Sequence, residues 1–283
     1  MLADNAGLQR GLAKAEEYFA SIGNPVVERR LLRHEAGPLE LAFADGETRE
    51  LCGYLASVFE GADILVAQEA FVMPLLFVSD MDSTMIGQEC IDELADFAGL
   101  KEKVARITEA AMRGELEFKS ALQERVGLLA GLPESAISDC LEQRITPTEG
   151  ARALVSELKD VGAHCVLVTG GFHHFADPIG EQLGFDRIVG NRLAVENGVL
   201  TGELAGPISD GATKRKVLVE ELDRIGEGAR ALAMGDGAND APMLREADYA
   251  FAFQGKNAAK EAANGRIESP DLRVALDLLM QAD

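Results

Sequence analysis

Beyond Pro147 the sequence alternates short apolar runs with amphipathic stretches, and no other feature narrows the fold as far. A helical pattern at 149–159 leads through Gly162 into an apolar run at 164–168. Residues 172–183 are helical again, a helix at 214–225 precedes an apolar run at 230–234, and 249–253 is one more such run. Strands alternating with helices imply a parallel sheet with right-handed crossovers, an α/β core. Residues 187–204 read as a hairpin turning at Asn197 and Gly198, a pair suited to two successive positive φ angles. Upstream, 71–80 (FVMPLLFVSD) has the unbroken apolar character of a strand covered on both faces. The pattern is then helical through 89–144, broken at Gly99, Gly114 and Gly131-Leu132-Pro133, which predicts three or four short helices. Inserted directly after the first core strand, they form a separate cap at about 88–147. Residues 1–72 mix helical periodicity at 8–20 with strand-like runs at 39–43 and 63–68, the pattern of a small α+β domain. The expected division is 1–72 and 73–283.

A length of 283 residues suits two such units. The chain carries 48 acidic against 27 basic side chains, a net −21. Residues 1–75 hold 12 acids and 6 bases and the remainder 36 and 21, so the charge is spread out and no acidic tail explains it. Such a field repels phosphate backbones and anionic lipid, which argues against nucleic acid or a membrane surface as partner. The longest apolar run, 71–78, is eight residues, far short of the roughly 18 that span a bilayer. The first residues have neither the basic nor the apolar region of a secretion signal. Cys52, Cys90, Cys140 and Cys165 include no C-x-x-C pair, so neither a zinc knuckle nor a disulfide framework is indicated, and a cytoplasmic location is expected.

Three predicted strands end in polar clusters. In Asp80-Met81-Asp82-Ser83-Thr84, residues i and i+2 of an extended chain point the same way, so two carboxylates share one site. Thr169-Gly170-Gly171 offers a hydroxyl and open backbone N–H groups to an anion. Gly235-Asp236-Gly237-Ala238-Asn239-Asp240 again sets carboxylates in a glycine-rich turn. In an open α/β sheet the ligand site lies outside the carboxyl ends of the strands, where all three clusters fall. An EF-hand fails, because Met85 and Ile91 stand where that loop needs Gly and Glu. His173 and His174, adjacent on a helix, face about 100° apart and make a poor metal pair. Gly255-Lys256-Asn257 reads as a turn into the C-terminal helix, and nothing activates the thiol of Cys90.

The segments Asp80 to Thr84, Thr169 to Phe172, Lys214 and Gly235 to Asp240 resemble, in order, the four motifs of the haloacid dehalogenase superfamily. More narrowly, Glu89 nine residues after Asp80, with Phe118 and Arg125 seven apart, is similar to the phosphoserine phosphatases. The resemblance covers about 74–275 and implies a HAD-like, Rossmann-like parallel-sheet core with an inserted helical cap. It implies Mg²⁺ as cofactor, held by the Asp80 carboxylate, the Asp82 carbonyl and Asp236, with Asp240 behind them. Asp80 would be the nucleophile and Asp82 the acid and base. Lys214, Thr169, Gly170, Gly171 and Asn239 would hold substrate with Glu89, Met112, Phe118 and Arg125 of the cap. Activity is then expected to be hydrolysis of O-phospho-L-serine through an aspartyl-phosphate in serine biosynthesis, by a protein that forms a homodimer. Thr169 stands where Ser is more usual in that subfamily, and its hydroxyl can make the same contact. Two alternatives stay open: a phosphotransferase or phosphatase for another small phosphorylated metabolite, and an amino-acid-sensing module with a relict site.

Overall fold

The computed structural model describes residues 5–31, 39–43, 45–112 and 117–279; the side chains of 5–9, 29–31, 39, 109–112 and 118 lie outside that description. The chain begins with α1 (Asn5–Ser21), the antiparallel pair β1 (Val26–Leu31) and β2 (Leu39–Phe43), α2 (Thr48–Val58) and the short β3 (Ile64–Leu65). Next come β4 (Leu76–Ser79) and the helices α3 (Cys90–Phe97), α4 (Lys101–Met112), α5 (Phe118–Gly127) and α6 (Ser135–Arg144). Then follow α7 (Ala151–Asp160), β5 (His164–Phe172), α8 (His173–Leu183), β6 (Arg187–Asn191), β7 (Leu193–Glu196) and β8 (Val199–Leu204). The chain continues through α9 (Gly211–Ile225), β9 (Ala231–Gly235), α10 (Ala241–Glu246), β10 (Tyr249–Phe253), α11 (Asn257–Ala262), β11 (Gly265–Ile267) and α12 (Val274–Leu279).

Seven strands form the central sheet in the order β3-β11-β10-β9-β4-β5-β6. Every neighbouring pair is parallel except β3 with β11. From β4 the chain runs outward through β5 and β6, then returns to lay β9 against the other side of β4 and runs outward through β10 and β11. That reversal opens a crevice beyond the carboxyl ends of β4 and β9. Asp80 follows the first of these strands and Asp236 the second.

Period-two alternation divides the core into two layers. Leu76, Val78, Ala231, Ala233, Ala250 and Ala252 join one buried cluster with Val217 and Leu218 of α9 and Leu244 of α10. Phe77, Leu167, Leu232, Met234 and Phe251 join the other, with residues of α7, α8 and the inserted helices. Alanine on the first face lets α9, α10 and α11 lie close to the sheet. The large side chains on the second fill a deeper layer, each fully buried one contributing about 1.5–3 kcal/mol.

Two expectations change. The strand expected at 71–80 spans only Leu76–Ser79. Pro74 has no N–H to donate to a ladder, and the chain before it bonds elsewhere, Val72 N–H to the Tyr249 hydroxyl (2.9 Å). The hairpin expected over 187–204 keeps its turn, with Asn197 and Gly198 at φ 52° and 75°, yet β6 is a parallel edge strand and only β7 and β8 pair antiparallel. That smaller hairpin docks on the helical insertion: Gly131 N–H donates to Leu200 O (2.9 Å), Leu200 N–H to Leu132 O (2.8 Å) and Glu134 N–H to Gly198 O (2.9 Å). The amino-terminal stretch contributes β3 to the central sheet, paired with β11. Arg49 adds bonds to Ala262 O (2.9 Å) and Arg245 O (2.8 Å), and Asp63 accepts from Glu268 N–H (2.8 Å) and Ser269 N–H (3.0 Å). Among the described residues no helix is long and apolar enough to cross a membrane, and all four cysteines are free and buried.

Candidate active site

Asp80 leaves β4 with its N–H on Met234 O (2.9 Å), so the neighbouring strand fixes where its side chain begins. Its Oδ1 accepts from Met81 N–H (2.8 Å) and lies 2.6 Å from Lys214 Nζ. The chain then turns sharply, the N–H groups of Thr84, Met85 and Ile86 all pointing to Met81 O (3.2, 2.9 and 3.1 Å). Ser83 takes φ 54° in that turn, a left-handed conformation that costs a residue with a side chain free energy. Asp82 therefore reaches the site from a turn and not from an extended strand. Its Oδ1 accepts from Cys90 N–H (2.9 Å) at the start of α3, and its Oδ2 from the Thr169 hydroxyl (3.3 Å).

Lys214 comes from the first turn of α9, which Asp210 caps by accepting from Thr213 N–H (3.1 Å). The ammonium is fully buried between Asp80 and Asp240, 2.6 Å from an oxygen of each. Burial alone would lower it, but the carboxylates of Asp240 and Asp80 outweigh that and hold it above the ordinary lysine range. Asp80 moves the other way for an acid: burial first, then the Asp240 charge, raises its carboxyl well above the usual value against the pull of Lys214. Asp240 is held through both oxygens: Oδ2 accepts from Asp236 N–H (3.1 Å) and Gly237 N–H (2.9 Å) while Oδ1 serves Lys214. That arrangement requires glycine at 235, where a Cβ would stand 2.4 Å from Asp240 Cγ.

Oxygens of Asp80, Asp236 and Asp240 all lie within 4.8 Å of one another. Hard carboxylate donors so crowded suit a small divalent cation, and burial raises Asp236 as well as Asp80 without one. Asp240, expected behind the ligands, contributes an oxygen to this cluster. Two of its contacts are already committed to backbone N–H groups, whereas Asp80 Oδ2 and Asp236 Oδ1 accept no hydrogen bond among the described residues.

Sequence reasoning missed Lys256. Its Nζ lies 2.9 Å from Asp236 Oδ2 and its N–H donates to Asp236 O (2.8 Å). A basic residue just past β10, at the same sheet edge as the three clusters, was the available signal. His173 Nδ1 lies 2.7 Å from Asp177 Oδ1 on its own helix.

The other expected residues divide. Glu89 stands at the N-cap position of α3, where its side chain makes no capping bond and instead accepts from the Ser83 hydroxyl (2.9 Å); burial, with the Asp82 charge adding, pushes its carboxyl up to about 7. Asn239 lines a groove of about 600 Å³ with Glu117, Lys119 and Asp210, where Lys119 of the helical insertion pairs with Asp210 of the core at 3.2 Å. Arg125 is half-buried with its Nε on Ala121 O of its own helix (3.3 Å). The side chains of Met112 and Phe118 lie outside the described residues. Gly170 turns its carbonyl to Asn191 Nδ2 (2.7 Å), and Gly171 N–H donates to Thr169 Oγ1 (2.8 Å).

Gly171 permits this close assembly, for a Cβ there would lie 2.6 Å from Asp82 Oδ2 and 3.1 Å from Thr169 Oγ1. Gly171→Ala is expected to displace the Asp82 carboxylate and lower kcat by about 10²-fold, the scale of a catalytic group misplaced by an ångström. Steady-state kinetics beside a melting curve tests it: the melting temperature should stay near wild type while kcat falls.

An acidic cluster with a buried lysine, set in the crevice of a parallel sheet and overhung by a helical insertion, defines a hydrolase centre built for an anionic substrate. The model of the haloacid dehalogenase-like hydrolase family matches residues 77–245. A phosphoserine phosphatase of Albidiferax ferrireducens is 47% identical over 209 residues, 72% of this chain and 88% of that one. The structure of a phospho-aspartyl intermediate analogue of phosphoserine phosphatase superposes with a TM-score of 0.67 at 40% identity, covering 74% of this chain and all of that one. A haloacid dehalogenase family hydrolase from Salmonella enterica serovar Typhi covers 94% of each chain with a TM-score of 0.79 at 25% identity. The chain belongs to the phosphoserine phosphatase family of haloacid dehalogenase-like hydrolases.

Proposed function

We propose that this chain hydrolyses O-phospho-L-serine to L-serine and phosphate through an aspartyl-phosphate on Asp80. One observation carries the reading: Asp80 is pinned through Oδ1 to Lys214 and Met81 N–H, while its Oδ2 accepts no hydrogen bond among the described residues. A carboxylate so held presents one oxygen in a fixed direction, which is what in-line attack needs. Asp80 Oδ2 attacks phosphorus as the bond from phosphorus to the serine oxygen breaks, and Asp82 gives that oxygen a proton. Asp82 then takes a proton from the water that hydrolyses the acyl phosphate. Burial raises the Asp82 carboxyl, with the Cys90 N–H and Thr169 hydroxyl opposing, which favours the protonated form that the first step uses.

Lys214 supplies a fixed positive charge beside the phosphoryl group, and the Thr169 hydroxyl with the Gly170 N–H completes the cradle. Asp80, Asp236 and the Asp82 carbonyl would hold Mg²⁺, which when bound offsets the charge that otherwise keeps a dianionic phosphate from a carboxylate. Glu89 takes the substrate ammonium, and that cation lowers its raised carboxyl back into the charged state. Arg125 leaves the Ala121 carbonyl to accept the substrate carboxylate in its planar fork. Met112 and Phe118 exclude water as the cap closes, and Asn239 borders the entrance. The reading extends to a cytoplasmic enzyme of serine biosynthesis, supported by four free cysteines, and to a homodimer, which sedimentation equilibrium of the full chain tests.

A panel of small phosphorylated metabolites assayed with Mg²⁺ is expected to rank phosphoserine first, with release abolished by EDTA and restored by excess Mg²⁺. Phosphate release that ignores the chelator, or a better substrate without an amino-acid head, overturns it.

A further inference from the structure

Asn191 is the last residue of β6, 2% exposed, and its side chain spends both ends of its amide. Nδ2 donates to Gly170 O (2.7 Å) and Oδ1 accepts from Ser209 N–H (2.8 Å). The first contact falls where β5 leaves its ladder: pairing with β6 is regular through Val168 and resumes at Phe172 opposite Asn191, so Thr169, Gly170 and Gly171 bulge out between them. A bulge leaves backbone groups without ladder partners. Here the peptide joining Gly170 to Gly171 is held on both edges, its carbonyl by Asn191 and its N–H by Thr169 Oγ1 (2.8 Å). The Thr169 hydroxyl in turn donates to Asp82 Oδ2 (3.3 Å). The second contact fixes Ser209, whose successor Asp210 caps the helix that carries Lys214.

We propose that Asn191 is a positioning residue for the phosphoryl site: one buried amide sets the Gly170–Gly171 peptide and the start of α9 in a single relative placement, and so aligns the Thr169 hydroxyl with the Lys214 ammonium. The inference rests on the reading of Thr169 and Lys214 as phosphoryl-holding groups. Only an amide fits both contacts, because the side chain must donate at one end and accept at the other. A carboxylate would face the Gly170 carbonyl with a second acceptor, and an apolar isostere would leave both backbone groups unpartnered in a dry interior. Gly190 beside it keeps the approach close, since a Cβ there would stand 3.1 Å from Thr169 Cγ2 and 3.3 Å from Gly171 O.

The experiment compares Asn191→Leu, Asn191→Asp, Thr169→Val and the Thr169→Val/Asn191→Leu double variant in the full-length Mg²⁺-loaded protein. The readouts are kcat, KM for phosphoserine, inhibition by inorganic phosphate, and the melting temperature. Both Asn191 variants are expected to lose about 10- to 100-fold in kcat and to bind inorganic phosphate at least tenfold more weakly. The double variant should lose clearly less than the product of the two single losses, because Asn191 acts in part through Thr169; such non-additivity marks residues in one network. A melting temperature lowered with kcat and phosphate inhibition unchanged, or fully additive losses, overturns the inference and leaves Asn191 as core packing. Should Asn191→Leu fail to fold, Asn191→Asp, which keeps the shape and the acceptor, decides by the same readouts. A Thr169→Val protein with unaltered phosphate inhibition would overturn the underlying reading of the cradle instead, and this inference with it.

Discussion

Asp80→Asn protein is expected to fold at least as stably as the wild type and to lose phosphoserine turnover by about 10⁵-fold or more, the scale on which removing a covalent nucleophile acts. The two halves of that expectation come from the same atoms. An amide keeps the oxygen that accepts from Met81 N–H and Lys214 Nζ, so the local hydrogen bonds survive. It replaces the other carboxylate oxygen by a nitrogen that cannot attack phosphorus. It also removes one of two carboxylates buried on a single ammonium, where burial and the Asp240 charge already push the Asp80 carboxyl upward. Ionising a group in such a place opposes folding, so its removal relieves the fold while ending the chemistry. Phosphate release and thermal denaturation, both measured with and without EDTA, check this together. Turnover within tenfold of wild type would remove Asp80 from the nucleophile's role; a collapsed melting temperature would show instead that the carboxylate is needed to build the site.

The fold was legible where chemistry and periodicity coincide and obscure where pairing is non-local. The strands ending at Ser79 and Gly235 are apolar runs that stop at an aspartate, so their position and the carboxylates beyond them follow from local pattern. Lys256 is different. Its place just past an apolar run puts it at the right sheet edge, but its contact with Asp236, twenty residues away, follows only once β9 and β10 lie side by side and bring the two strand ends together. Asn191 sits in a stretch whose Asn197 and Gly198 turn dominates the local signal, which hid the parallel strand before it. The strands β3 and β11, of two and three residues, are too short to carry any period, so the attachment of the amino-terminal unit to the sheet could not be read at all. Arg125 marks a further limit: helical spacing places it on α5, but spacing says nothing of whether its guanidinium turns to the crevice or, as here, to its own helix.

Lys214→Met is expected to damage the fold as well as turnover. The thioether fills much of the lysine's volume, so no large cavity opens; what is lost is the charge. Asp80 and Asp240, which now share the ammonium at 2.6 Å each, would be left buried without their cation. Breaking a buried ion pair from one side costs about 3–5 kcal/mol, because the remaining charge stays in a medium that solvates it poorly. The loss has a definite pH dependence in the chelated protein. Burial already raises the Asp80 carboxyl above its ordinary 3.8, and without the opposing Lys214 charge it rises further. An acid whose folded value lies above its unfolded one binds more protons in the folded state throughout the interval between the two, so stability falls as pH rises through it. Chelated Lys214→Met is therefore expected to melt lowest at alkaline pH and to recover as pH drops toward 5, where a proton takes the place of the missing cation. Wild-type protein, with the lysine charged throughout, should show a much shallower recovery over the same range. Melting curves from pH 5 to 9 with EDTA present distinguish the two, and a variant whose deficit is the same at every pH would mean that Lys214 stabilises the core by packing and not by charge. Turnover should not return with stability at low pH, because a protonated Asp80 is no nucleophile and the phosphoryl group has lost its fixed cation.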